Sequence, residues 1–153
     1  METIENKQKL QWERERELGK INIELAERNH EALKQYNADR QRLCKELDGI
    51  QSDYHAEKEL LLSELDQQVA TRNHLRRQGL AEYSIEIQDT YMKERYSQRN
   101  LSDLKSNYRY DCDRIRETIR AKRDAYVSLC IINKKWAEQR KSEVMAQLTA
   151  VEE

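Results

Sequence analysis

Not one of the 153 residues is proline, and only three are glycine, at positions 19, 49 and 79. Proline removes a backbone donor and clashes inside a helix, and glycine costs a helix roughly 1 kcal/mol relative to alanine. A chain nearly free of both has little to interrupt a helix and lacks the turn residues that a β-rich fold requires. Charged residues make up 37% of the sequence and hydrophobic ones another 37%, with no phenylalanine. That is too little apolar material for a wide interior, though enough for a narrow seam. The same composition also suits a disordered chain, so periodicity has to decide.

Periodicity favours helix. In the first half Leu18, Ile21, Leu25, Leu33, Tyr36, Leu43, Leu47, Ile50, Tyr54, Leu61, Leu65 and Val69 recur mostly at steps of three, four or seven, which marks one face of a helix. The second half repeats the signal from Ile87 and Tyr91 through Leu101, Leu104, Tyr108, Cys112, Ile115, Tyr126, Leu129 and Trp136 to Val144 and Leu148. A lone helix buries little in water, so each stripe needs a partner. The mixed three-four steps fit no strict heptad and predict at most a weak supercoil.

Between the stripes lies a stop signal: Arg76 and Arg77 in a last turn, Gly79 able to take positive φ, and Leu80 as the apolar residue beyond it. The fold predicted is all-α: an elongated antiparallel helical hairpin or coiled coil, reversing near Gly79 and oligomeric. Helix 1 covers about 3–77, the turn about 78–80 and helix 2 about 82–150, as one unit over 1–153. Asp48-Gly49 is the rival break, and the stripe passing through it in phase from Leu47 to Tyr54 counts against it. Residues 81–88 (AEYSIEIQ) partly alternate apolar and polar but have no second strand to pair with, so they too read as helix. A reversal at 78–79 puts residues opposite each other when their numbers add to about 157. Leu25 then meets Ile132, Leu47 meets Tyr110, Tyr54 meets Leu104, and Leu65 meets Met92. Cys44 comes close enough to Cys112 for mild oxidation to join them, although reduced thiols are the expected native state.

Little in the sequence points to catalysis. His30, His55 and His74 are isolated, Cys44, Cys112 and Cys130 form no close pair, and no phosphate loop, dinucleotide fingerprint, zinc-protease helix or nucleophile elbow is present. The expectation is a protein that is not an enzyme, with no metal and no cofactor. The first thirty residues carry charges throughout, unlike a secretory leader, and the longest apolar run, 125–132, is far short of the roughly 20 residues that span a bilayer. That run reads as a buried helix segment. A cytoplasmic location, or the interior of a virion or other assembly, follows as the expectation.

Binding candidates are of two kinds. Trp12 and Trp136 lie near the distal ends of the two helices and are candidate partner anchors, with packing in the seam as the plainer reading. The densest basic stretch includes Lys105, Arg109, Arg116, Arg120 and Arg123, interleaved with Tyr108, Tyr110 and Tyr126. Cations with aromatics can hold nucleic acid, but Asp103, Asp111, Asp113, Glu117 and Asp124 interrupt the run, and the whole chain has a net charge of −1. An ion-paired solvent face is the plainer account of this stretch.

In length, charge content and a break near the middle, the chain resembles in overall design the long helical-hairpin stalks of flagellar and type III secretion ATPases; no motif carries a functional residue across. The expected function is that of a structural or assembly protein that binds itself or a larger protein complex, in a bacterial or phage scaffold, virion-internal or secretion-apparatus role. The alternatives are a nucleic-acid-associated helical protein using residues 105–141 and an adaptor or chaperone-like regulator presenting a helix to a partner.

Overall fold

A computed structural model describes residues 3–152 of the chain, with side chains described through residue 147. Two long helices pack together, α1 (Ile4–Arg77, 74 residues) and α2 (Ile85–Glu152, 68 residues), and no strand occurs among the described residues. Helix α1 runs through Asp48-Gly49 without a break, as expected where nothing removes a backbone donor. Thr3 opens α1 by accepting the Asn6 amide at 3.3 Å on its side-chain oxygen.

Packing divides the chain into two compact units. The terminal unit holds the chain up to Gln41 and from Ile119 onward, and the loop unit is Arg42–Thr118. In the terminal unit Ile21, Ala137 and Val144 form a buried cluster with Leu25 and Trp136 against it. Tyr36 stacks on Tyr126 with ring centroids 5.4 Å apart, and Asn133 donates to the Asn29 amide oxygen at 3.1 Å. In the loop unit Tyr54 stacks on Tyr108 at 4.0 Å, and Arg72 reaches across to donate to the Thr90 hydroxyl at 3.2 Å.

All four of these facing pairs have residue numbers that add to 162. The register predicted from the sequence, near 157, is therefore displaced by five residues. The cause is the reversal, which is longer than three residues. Gly79 has φ 88°, the Leu80 amide donates back to Leu75 at 3.2 Å, and the Gly79 amide donates to Arg76 at 3.0 Å. These two bonds close a left-handed glycine cap, with Leu80 and Leu75 as its half-buried apolar pair. The chain does not re-enter helix at once. Ser84 caps α2, accepting the Ile87 amide on its hydroxyl and the Gln88 amide on its carbonyl, at 3.4 and 3.0 Å. Arg76 forks onto Glu82 and donates to the Tyr91 hydroxyl at 2.8 Å, tying the loop to both helices.

The shifted register corrects several sequence expectations. Ile132, Tyr110 and Met92, expected to face inward, are 60%, 69% and 67% exposed. Leu33, Val69 and Leu129, assigned to the seam, are also exposed, and the side chain of Leu148 lies outside the described residues. Cys44 now faces position 118, six residues or about 9 Å along the axis from Cys112, beyond the reach of a disulfide. All three cysteines are free. Taking one position per turn, with Cys44 and Gln51 as second positions in their turns, the buried and half-buried stripe from Leu43 to Arg72 advances 29 residues in eight turns, the period of a straight α-helix rather than of a heptad repeat.

Candidate functional site

The seam is narrow and partly polar. Among the described residues only Ile87 and Ile115 are large side chains that are almost wholly buried, and Arg72, Thr90, Ser97 and Asn133 are buried polar ones. The Arg72 guanidinium is paired with Glu94, bonded to Thr90 and stacked 3.8 Å over the Tyr91 ring, so its charge is met on three sides. The Thr90 hydroxyl in turn donates a hydrogen bond to the Ile87 carbonyl at 2.6 Å. This network fastens the loop unit near the reversal.

The tyrosine layers repeat. Tyr108 has Cys112, and Tyr126 has Cys130, one helical turn on. The neighbouring thiol first, and then desolvation, pushes each phenol above the ordinary tyrosine value. Tyr36 and Tyr54, Tyr108 and Tyr126, and Cys112 and Cys130 are all 18 residues apart, five turns of helix. This spacing was open to view in the sequence and escaped notice, because no hydrophobic template treats a Tyr-x-x-x-Cys pair as a unit.

Around the Tyr54–Tyr108 stack, charge separates by side. At about 100° per residue, Lys105, Arg109 and Arg116 lie about 60°, 100° and 80° to one side of Tyr108. They line a depression of about 340 Å³ with both tyrosines, Cys112 and Asp113. On α1, Lys58 lies over the Tyr54 ring on this same side, its Nζ 5.8 Å from the centroid, and His55 tilts against Tyr54. Asp113 pairs with Arg116 at 3.8 Å, whereas Lys105 and Arg109 have no ion-pair partner among the described residues.

The opposite flank is acidic. Asp53, Glu57 and Asp111 line a depression against Ile50, Leu104 and the other edge of the tyrosine stack. Glu57, Glu64 and Asp103 line the next one, with Leu60 and Leu61. Asp53, Glu57, Asp103 and Asp111 have no ion-pair partner among the described residues. Read in order, the acids at 103, 111 and 113 interrupt the basic run. Wound onto a helix, two of the three point away from it.

The remaining candidates are scattered. Trp12 is 59% exposed with Arg16 5.4 Å from its ring, while Trp136 is half-buried in the terminal unit under the Arg28 guanidinium at 3.7 Å. Arg120 and Arg123 belong to the terminal unit and are exposed, Arg123 lying 3.9 Å from Asp124. The apolar run at 125–132, expected to be buried, is largely open. Val127 is 49%, Leu129 43%, Ile131 52% and Ile132 60% exposed. One narrow seam covers one side of α2, and these residues lie on its other sides.

No group of three or more His, Cys, Asp or Glu side chains that could hold a metal occurs among the described residues. No described helix is long and apolar enough to cross a membrane. The chain matches no protein-family model, no curated protein and no solved structure.

Proposed function

We propose that this chain is a non-enzymatic structural or assembly protein that works by binding protein surfaces, its own or those of a larger complex. The observation that carries the reading is the exposed quartet Val127, Leu129, Ile131 and Ile132, four large apolar side chains within six residues of one helix. Isolated exposed apolar residues are ordinary, but four within two turns of a charge-rich helix, Val127 with Ile131 on one side and Leu129 with Ile132 on another, mark sides of the helix that are covered in use. A bacterial or phage scaffold, a virion interior or a secretion apparatus are settings in which such a helix pair would serve.

The test is a paired substitution, Val127→Glu with Ile131→Glu, in the full chain. Both positions are about half exposed, so helicity by circular dichroism should be retained. Light scattering of the wild type and cross-linking in the native host should show self-association or one defined complex, and the variant should lose it. A wild-type chain that stays single in both settings would sink the reading.

A further inference from the structure

We propose that the loop unit stacks face to face on a second copy of this chain, the basic flank of one copy lying on the acidic flank of the next. The inference rests on the assembly reading above and adds to the apolar quartet a second contact surface, in the loop unit, with another copy of this chain as its partner. Its foundation is complementarity at one level of the seam. One side of the Tyr54–Tyr108 pair presents Lys105, Arg109 and Arg116. The other presents Asp53, Glu57 and Asp111.

Each flank also has an apolar centre. The acidic side carries Leu60, 67% exposed beside Leu61, and the basic side carries the edges of the two tyrosines with Tyr110, 69% exposed next to Lys105 and Arg109. An apolar patch with a charged rim is the ordinary anatomy of a protein interface. Unpaired rim charges set which surface meets which, through attraction to the right flank and repulsion from the wrong one.

The arrangement also selects the symmetry. A two-fold dimer made through either flank would set like charges against like, basic on basic or acidic on acidic. Basic on acidic is a heterologous contact, and each added copy leaves one flank of each sign free. Such contacts close into rings or continue as open stacks, and do not stop at a two-fold pair.

The experiment uses the full chain in sedimentation velocity, with two variants: K105E/R109E, acidic on both flanks, and D53K/D111K, basic on both. The four side chains lack ion-pair partners, so both variants should keep wild-type helicity, checked by circular dichroism. The wild type should grow in mass with concentration at low salt. It should lose at least tenfold in association near 0.5 M NaCl, where the Debye length is roughly 4 Å. Each variant alone should associate at least tenfold more weakly than the wild type, and an equimolar mixture of the two should recover association.

A wild type of single-chain mass at every low-salt concentration would overturn the stack, as would variants that associate unchanged or a mixture that recovers nothing. Association lost on Val127→Glu with Ile131→Glu but indifferent to the flank reversals would overturn the stack and leave the assembly reading standing. Binding of a single-stranded oligonucleotide through Lys105 and Arg109, without self-association, would reassign the basic flank and also overturn it.

Discussion

Glycine shows at single-residue scale how context reverses the sign of one substitution. Gly79 sits at φ 88° with open space where a Cβ would go, so alanine there meets no clash and only the left-handed backbone penalises it. Gly79→Ala should cost about 1–2 kcal/mol, measured by urea unfolding. Gly49 lies inside α1, also with open space around it, and Gly49→Ala should add about 0.5–1 kcal/mol. Equal effects at the two sites would mean that Gly79 is not held in its cap. The tyrosines offer a second residue-scale test. Tyr108 and Tyr126 ionise above the ordinary value of 10.0, held neutral by Cys112 and Cys130. The folded state therefore keeps protons that the unfolded state would release. That contribution is complete below pH 10 and is lost as pH rises through the raised values, so stability should decline on the alkaline side. Spectrophotometric titration at alkaline pH should show two phenols ionising later in the folded protein, and Cys112→Ala should advance one of them.

Register belongs to the scale of the element, and it is where reading the sequence reached its limit. The helices, their all-α class and the cap at Gly79 follow from the missing proline, the apolar stripes and the Arg76-Arg77-x-Gly79-Leu80 signal. The facing pairs do not, because each added loop residue moves every pair along the seam. Ser84 is a good N-cap and a start signal for α2, but AEYSIEIQ, with no proline and no strand to pair with, looks helical throughout in sequence. The three residues before Ser84 account for most of the displacement from 157 to 162. The charged flanks were hidden for a different reason: a list of residues in order cannot show that Lys105 and Asp111 lie on opposite sides of Tyr108. A cysteine scan tests the register directly. With Cys44 and Cys130 replaced by serine, Ile50→Cys should form a disulfide with Cys112 on mild oxidation, because their numbers add to 162. The chain with Cys44 and Cys112 as its only cysteines should form none within one molecule. Thiol titration with mass spectrometry reads both, and the opposite pattern would restore the shorter turn.

For the whole molecule, the question is what so small a core can sustain. Eight buried hydrophobic residues, two of them alanines, serve a described chain of about 150 residues, alongside four buried polar ones. The seam gains specificity from Asn29–Asn133 and Arg72–Thr90–Glu94, but polar pairs add little net stability once their desolvation is counted. Apolar burial at about 25 cal/mol per Å² has little surface to act on in a seam one stripe wide. A folded chain with so modest a margin should draw part of its stability from association, and association acts by mass action. Above its dissociation constant, each tenfold rise in concentration adds about 1.4 kcal/mol per interface, as the logarithm in the linkage relation requires. For chains of 150–250 residues one kcal/mol moves the melting temperature by about 2–4 °C. With one interface per chain, differential scanning calorimetry at low salt should show Tm rising by about 3–6 °C per decade of protein concentration. The dependence should flatten in high salt if the charged flanks carry the contact, and persist there if the exposed apolar quartet does. A Tm independent of concentration across two decades, at both salt levels, would mean that the two-helix seam is sufficient by itself.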